Sequence, residues 1–374
     1  MGLQNGTGPG ADPVIIPVNG AEPGLLQRLG RIRDAGDVPL VGDPRSSKTH
    51  WDAMVAAAAT AELPEGTAWA TLTSGSSGAP RIVLRSAESW ADSFAAVSRF
   101  LDAGPGETVA LPAPPASSLT LFSLAHTLSG GPQAVLRPTP DADALHGTPQ
   151  ALRAVLDAGA PPRLRTALVG GSHLDPELRR RAEAAGIRVT AYYGAAELSF
   201  VACDTGDGLR AFPGVELRVR EGILWVRSPF IASGYAGAPG PLRRDGEWAT
   251  VGDRAELVDG RLRLLGRADD AILSASATIV PEEVEAVLRS IPGVRDAIVF
   301  GLPRGPVGAL VSALLELDGG APADLRALAA AGLTPAHRPR QWFAGQIPRT
   351  ASGKPARAEA MRLVLAGEVQ SLAR

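Results

Sequence analysis

Thr73-Ser74-Gly75-Ser76-Ser77-Gly78-Ala79-Pro80-Arg81 is the stretch whose reading decides the fold. It follows Thr67 to Leu72, a short run that reads as a buried strand. Two glycines let the backbone turn tightly and approach a ligand closely. The hydroxyls and free backbone N–H groups between them can face a polyanion. Arg81 adds a fixed positive charge whose forked donors suit phosphate. The stretch is not a Walker A loop, because the Gly-Lys-Ser/Thr ending is missing and Pro80 stands where that Lys belongs. Taken alone, it is equally compatible with a polar surface loop, so its neighbours decide.

Outward from this loop, β-loop-α alternation continues. Ser86 is placed to cap a helix with an apolar face of Trp90, Phe94, Val97 and Leu101. Thr108–Leu111 reads as a strand, Pro112–Pro115 as a rigid loop, and Leu119–Leu128 as an apolar helix ended by Gly130-Gly131. Gln133–Leu136 is strand-like, Gln150–Leu156 helical, and Thr166–Val169 a buried strand closed by Gly170-Gly171-Ser172. Pro176 opens a helix, and Ile187–Tyr192 is a strand that Gly194 is expected to turn. The alternation predicts an open, largely parallel sheet covered by helices, with ligands at the carboxyl ends of its strands. Before the loop, Leu25–Ala35 and Trp51–Ala61 read as helices, and residues 1 to about 20 as a loose tail.

From about Phe212 short strands separated by Gly, Asp and Glu predict antiparallel sheet, in the form of a small barrel. Beyond it, Pro281–Leu288, Leu325–Ala331 and Ala358–Leu365 read as helices, and Val294–Phe300 and Ala309–Leu317 as strands. The expected fold class is therefore a large α/β N-terminal domain, mostly parallel sheets with helices plus a small antiparallel barrel, and a small α+β C-terminal domain. The 374 residues suffice for two or three domains. Hydrophobic residues at 45% and charged residues at 20% give an ordinary soluble balance. A net charge of -2 gives no footprint for nucleic acid. No apolar run is long enough for a membrane span, and residues 1 to 13 lack signal-peptide character. Cys203 is the only cysteine, so no intramolecular disulfide or cysteine metal site forms, and a reducing cytoplasm is the simplest compartment. The five histidines show no metal-ligand spacing.

Five separated stretches now agree in kind and order: the loop at Thr73–Arg81, Tyr192-Tyr193-Gly194-Ala195-Ala196-Glu197, Trp248-Ala249-Thr250-Val251-Gly252-Asp253, Gly266-Arg267-Ala268-Asp269-Asp270, and Pro348-Arg349-Thr350-Ala351-Ser352-Gly353-Lys354. On these motifs the sequence resembles the acyl-adenylate-forming (AMP-binding) ligases, the superfamily of acyl-CoA synthetases, peptide-synthetase adenylation domains and luciferases. Its shortness and the Gly266–Asp270 region look most like the compact o-succinylbenzoate–CoA ligases, which have a reduced N-terminal segment. The resemblance implies an acid–CoA ligase. A carboxylate would attack the α-phosphate of ATP and expel pyrophosphate, and the thiol of coenzyme A would then take the acyl group.

By the same resemblance, Thr73, Ser74, Gly75, Ser76, Ser77 and Gly78 would hold the β- and γ-phosphates, with Arg81 replacing the usual lysine. Glu197 would hold Mg²⁺. Asp253 and Arg267 would reach the ribose, and Gly170, Gly171, Ser172, Tyr192, Tyr193 and Gly194 would surround the adenine. Lys354 would bridge carboxylate and α-phosphate, so Lys354, Glu197 and Thr73 form the implied catalytic set. Asp269 would be the hinge, dividing an AMP-binding domain at 1–268, short at its start, from a mobile lid at 269–374. A homodimer would cover apolar surface left by a short N-terminal segment.

Plainer readings stand beside these. Gly353-Lys354 could be a solvated turn, Asp253 and Arg267 a surface pair, Tyr192 and Tyr193 hydrogen-bonded core residues, and Glu197 a solvated carboxylate. Cys203 reads as inert core, and His126 as a packed core histidine in an apolar helix. Three departures from the family pattern qualify the substrate. Pro114-Pro115-Ala116-Ser117-Ser118-Leu119 has small residues where many relatives place an aromatic or His near the acyl pocket. Leu198 follows Glu197 in place of the common Thr, and Ser274-Ala275-Ser276-Ala277 stands where glycines usually line the thiol route. An enzyme loading a carrier-protein thiol, or a non-catalytic nucleotide-binding relative, are the alternative readings.

Overall fold

In the computed structural model the described residues are 12–46, 48–73, 81–137, 139–237, 239–267, 272–274, 277–279, 281–303, 309–320, 322–350 and 355–372. Along the chain come β1 (Ile15–Asn19), α1 (Leu25–Asp34), β2 (Val38–Gly42), α2 (Lys48–Ala59), β3 (Thr67–Thr73), β4 (Arg81–Ser86) and α3 (Glu88–Leu101). There follow β5 (Thr108–Ala110), α4 (Ser118–Leu128), β6 (Gln133–Val135), β7 (Ala144–Gly147), α5 (Pro149–Asp157), β8 (Thr166–Val169), α6 (Pro176–Ala184) and β9 (Arg188–Ala195). Next are β10 (Ser199–Asp204), β11 (Arg210–Ala211), β12 (Glu216–Arg220), β13 (Ile223–Arg227), β14 (Gly234–Ala236), β15 (Arg243–Asp245), β16 (Trp248–Thr250), β17 (Asp253–Val258) and β18 (Arg261–Arg267). The smaller C-terminal part contains β19 (Ile272–Ser274), β20 (Ala277–Ile279), α7 (Pro281–Arg289), β21 (Val294–Pro303), β22 (Ala309–Leu317), α8 (Leu325–Gly332), β23 (Gln341–Ala344), α9 (Arg357–Leu365) and β24 (Gln370–Ser371).

The large domain has two mixed sheets covered by helices, as the expected α/β class required. The first has the order β1-β2-β3-β4-β14, and the second β11-β10-β9-β8-β7-β5-β6. In the second, β6, β5, β7, β8 and β9 run parallel, so their carboxyl ends share one rim. Apolar residues from α1, α3, α4 and the facing sheet surfaces form one core, with Trp69, Trp90, Phe122, Phe200, Phe212 and Phe230 buried in it. The outer faces are covered separately, the first sheet by α2 and the second by α5 and α6. Helices on both faces explain why β2 is buried at every position and carries no polar alternation. The antiparallel region after Phe212 is a six-stranded sheet, β15-β16-β13-β17-β18 with β12 on β13.

Four local expectations need correction. Within the expected tail, Ile15–Asn19 pairs in parallel with β2, because Ile15 and Val18 find buried places in the sheet. The Gly/Ser loop is followed by β4, antiparallel to β3, before the helix begins. Ser86 accepts from the Ser89 N–H at 3.2 Å, but the residue at the start of α3 is Ala87, one position later. β7 was not foreseen, since its four residues, Ala144-Leu145-His146-Gly147, are too few and too mixed to show a strand period. Gly194 lies inside β9, and the reversal comes at Ala196–Leu198, where β10 turns back against β9. A Cβ at Gly194 would overlap the Ser199 carbonyl oxygen, so the glycine permits close strand approach.

In the C-terminal domain the sheet β21-β22-β23-β24 packs α7 and α8 against one face and α9 against the other. Glu285 of α7 is buried but fully engaged. It takes the Arg357 guanidinium at 2.5 Å, Arg289 at 3.1 Å and the Val299 N–H at 2.9 Å.

Candidate active site

Two β-hairpin-like features bring the sequence-derived residues to neighbouring edges. Thr73 ends β3, Arg81 begins β4, and the two are direct partners across the ladder. The calls on Ser74, Gly75, Ser76, Ser77 and Gly78 fall outside the described residues, as do those on Asp269 and Lys354. Thr73 and Arg81 nevertheless fix both ends of that loop. Leu72 also bridges to Ser117, which caps α4 by accepting from the Thr120 N–H at 3.2 Å. The loop's base is thereby tied to the Pro112–Ser117 turn above β5.

Glu197 occupies the β9–β10 turn and is only 4% exposed. Its Oε1 accepts from the Tyr235 hydroxyl at 2.9 Å. Its backbone carbonyl accepts from the Ala232 N–H at 2.8 Å. Tyr235 belongs to β14, whose partner across the ladder is Val83 of β4. The segment Phe230–Tyr235 thus carries the Glu197 carboxylate to the sheet that holds Thr73 and Arg81. Burial and the Glu197 charge push the Tyr235 phenol pKa upward, so it stays a protonated donor at neutral pH. The second carboxylate oxygen, Oε2, has no protein partner among the described residues. One anchored and one open oxygen on an ionisable carboxylate fit a hard divalent cation such as Mg²⁺. Among the described residues no cluster of three or more His, Cys, Asp and Glu occurs, so a cation here would draw further ligands from substrate oxygens and water.

Arg85 lies behind this point, wholly buried, and donates to the Phe230 carbonyl at 2.9 Å. Its guanidinium also rests 5.4 Å from the Trp90 ring centroid. Burial lowers its pKa to about 9, with the Glu197 charge opposing. Neither Arg85 nor Tyr235 was singled out by sequence. Tyr235 is 38 residues from Glu197 and carries no local motif.

The second group lies at the carboxyl ends of β8 and β9. Gly170-Gly171-Ser172 leaves β8, with Gly171 at φ 90°, a conformation that side chains resist. A Cβ at Gly170 would overlap the Tyr192 ring, so the missing side chain makes room for that phenol. The Tyr193 hydroxyl donates to the Asp253 carboxylate. Asp253 opens β17 opposite Arg267 at the end of β18, so the Asp253 and Arg267 backbones meet in register. The Arg267 side chain is outside the described residues. Tyr193, Asp253 and Arg267 therefore converge, although more than fifty positions separate the first from the others in the chain.

Two expectations about bystanders hold. His126 is buried and stacked on Phe94, 4.4 Å between centroids, and burial lowers its pKa to about 4. Cys203 is half-buried, its thiol pushed up to about 11 chiefly by burial, and therefore poorly nucleophilic. The sequence did not reveal a second histidine, His146, at the buried centre of β7.

Around the Lys354 motif, the described flanks are firmly held. Arg349 pairs with Asp296 at 2.6 Å, and the Ala356 N–H reaches the Pro348 carbonyl at 2.7 Å. Arg349 and Pro355 form an isolated antiparallel bridge. The described flanks are thus tied to the C-terminal domain, Arg349 to β21 and Arg357 to α7.

A large α/β domain, whose parallel strands end on one rim, and a smaller α+β domain define a two-domain architecture in which ligands generally bind at the strand carboxyl ends. The chain belongs to the AMP-binding enzyme family: that family model matches residues 25–236, and the AMP-binding enzyme C-terminal domain model matches residues 283–354. A 2-succinylbenzoate–CoA ligase of Salmonella typhimurium is 32% identical over 70% of this chain and 60% of its own length, so the match spans less than two thirds of that relative. A probable 2-succinylbenzoate–CoA ligase of Mycobacterium tuberculosis is 30% identical over 93% of this chain and 97% of its own. The fold is similar to a variant of E. coli MenE with bound OSB-AMS, with a TM-score of 0.82 at 22% identity, covering 94% of this chain and 88% of that one.

Proposed function

We propose that the chain is an ATP-dependent acid–thiol ligase that forms an acyl-adenylate and passes the acyl group to coenzyme A. The observation that carries this reading is the placement of Glu197, tied through Tyr235 to the strand pair that ends in Thr73 and Arg81. The names of the relatives support CoA over a carrier-protein thiol as acceptor.

In the first half-reaction a carboxylate oxygen forms a bond to the α-phosphorus of ATP. The bond from that phosphorus to the bridging oxygen breaks, and pyrophosphate leaves with the electron pair. Thr73, the Ser74–Gly78 loop and Arg81 hold the β- and γ-phosphates and stabilise the departing charge. Glu197 would hold Mg²⁺, whose charge would offset that of the phosphate oxygens. Gly170, Gly171, Ser172, Tyr193 and Gly194 surround the adenine, and Asp253 and Arg267 orient the ribose. Tyr192, whose ring fills the space beside Gly170, belongs to the same adenine-lining group. Lys354 bridges the carboxylate and the α-phosphate, lowering repulsion between two anions before they react.

In the second half-reaction the CoA sulfur, as thiolate, bonds to the acyl carbon, and the bond to the AMP oxygen breaks. For that step the lid, residues 269–374, turns about Asp269 relative to residues 1–268 and withdraws Lys354. No described helix is long and apolar enough to cross a membrane. A cytoplasmic location, where ATP and CoA are supplied, and a homodimer complete the proposal.

The deciding experiment is carboxylate-dependent exchange of labelled pyrophosphate into ATP across a panel of aliphatic and aryl acids, followed by CoA thioester detection. Exchange with at least one acid and thioester formation on CoA are expected. Absence of exchange with every acid overturns the reading.

A further inference from the structure

Arg85 is a wholly buried guanidinium that makes no ion pair among the described residues. Both of its terminal nitrogens donate to one carbonyl, that of Phe230, and its face lies over the Trp90 ring. Its Nε has no hydrogen-bond partner. A buried charge is costly unless an opposite charge answers it. The opposite charge that acts on Arg85 is that of Glu197. Glu197 is itself buried, and the neutral Tyr235 hydroxyl is the partner of its side chain. Arg85 and Glu197 therefore answer each other's charge without a direct bond between them.

Sheet register sets this relationship. Trp69, Thr71 and Thr73 of β3 stand opposite Arg85, Val83 and Arg81 of β4, and Tyr235 of β14 flanks Val83 on the other side. Strand alternation puts these side chains on one face. Arg85 and Tyr235 are then diagonal neighbours across β4 and β14. The Arg85 fork grips Phe230, the Ala232 N–H reaches the Glu197 carbonyl at 2.8 Å, and the Ser233 N–H reaches the Leu84 carbonyl at 2.8 Å. The Phe230–Tyr235 segment thus fixes the two charges relative to each other.

The charges on this face have a consequence for cations. Glu197 supplies one negative charge, against the guanidiniums of Arg85 and Arg81. The Arg81 charge is felt as far as the Tyr235 hydroxyl. A bare divalent cation approaching Glu197 meets these like charges and gains little. A triphosphate reverses the balance. Arg81, at the foot of the Gly/Ser loop, is placed to be spent on phosphate. Arg85, with none of its surface exposed, keeps its charge whether nucleotide is bound or not.

We propose that Arg85 is a positioning residue that makes the Glu197 carboxylate take a divalent cation together with a polyphosphate and not alone. Its charge cancels that of Glu197 in the nucleotide-free chain, and the phosphates outweigh it when they arrive. Metal and nucleotide are thereby coupled through one buried charge. The proposal rests on the cation role given to Glu197 above, while the pairing of Arg85 with Glu197 does not.

Mn²⁺ in place of Mg²⁺ makes the coupling measurable. Electron paramagnetic resonance of the full chain at mildly alkaline pH counts the free ion, with and without α,β-methylene-ATP. In the native chain the analogue should tighten Mn²⁺ binding by about 10²-fold. Arg85→Gln keeps a donor for the Phe230 carbonyl and drops the charge. In that variant nucleotide-free Mn²⁺ affinity should rise about tenfold, and the coupling should shrink by the same factor. Arg85→Lys keeps the charge and loses the fork, so it should retain most of the coupling. Coupling that is unchanged in Arg85→Gln, or lost equally in Arg85→Lys, overturns the proposal, because a purely structural role would move only the unfolding midpoint. Nucleotide-free Mn²⁺ binding by the native chain that matches its binding with the analogue, and disappears in Glu197→Gln, also overturns it and needs no Arg85 variant to fold. Binding is read without turnover, so a chain that shows the coupling yet exchanges pyrophosphate with no acid defeats the ligase reading alone.

Discussion

Thr73 and Arg81, with seven residues between them in the sequence, are direct partners across the antiparallel ladder of β3 and β4. Arg81 therefore sits at the foot of the loop and cannot drift from it. Arg81→Ala should lower the exchange rate by about 10²-fold, the scale for losing one preorganised cationic donor. Arg81→Lys should recover part of this, since charge returns without the forked geometry. Steady-state exchange kinetics with circular dichroism as a fold control check both outcomes.

Tyr235 anchors one oxygen of Glu197 and leaves the other open. Tyr235→Phe should therefore weaken the affinity for divalent cation, raising the Mg²⁺ concentration needed for half-maximal exchange. The lost hydrogen bond to a charged acceptor is worth about 1.5–3 kcal/mol, or roughly 10- to 100-fold. Glu197→Gln should produce the larger shift. A Mg²⁺ titration of activity for both variants distinguishes this from a purely structural role, which would move the unfolding midpoint alone.

A Cβ at Gly170 would meet the Tyr192 ring. Gly170→Ala should cost about 1–3 kcal/mol in stability, the usual range for overpacking a filled site. Adding Tyr192→Leu should restore part of the loss, because the obstructing ring is gone. Urea unfolding of the two single variants and the double variant gives the coupling directly.

The Lys354 motif is held through the C-terminal ion network. Glu285 is buried and engaged by Arg357 and Arg289, which also hold Glu282 and Asp296, so Glu285→Ala removes one charged partner from each and should cost about 1.5–3 kcal/mol. Asp296→Ala removes the nearer of two carboxylates from Arg349, one end of the motif, and should lower kcat with little change in the KM for ATP. Lys354→Ala should reduce exchange by at least about 10²-fold while leaving the unfolding midpoint in place.

His126 and His146 stay neutral in the folded chain, with pKa values lowered by burial to about 4 and about 3 from an ordinary 6.5. Below 6.5 the unfolded chain binds protons that the folded chain refuses. Their contribution to stability is therefore intact above pH 6.5 and is lost as pH falls toward 4 and then 3. Urea midpoints measured between pH 7 and 4 should fall steadily. His126→Gln should flatten the slope.

The strand-turn-helix alternation around the Gly/Ser loop was legible because apolar period and small-residue turns are local signals. It failed where locality failed. β1 is a strand only because β2 lies beside it, and β7 because β5 and β8 enclose it. Gly194 looks like a turn residue, yet its use is to let the Ser199 carbonyl close on β9.

The residues alone determined the family, the order of its motifs and the chemical types available at each, since these depend on side-chain identity and spacing. Tertiary structure alone decided which of them meet. It set Tyr235 on Glu197, Tyr193 on Asp253, and a neutral His146 between Ser123 and Tyr192. Those pairings join strands distant in the chain through sheet register, which no single stretch of sequence encodes.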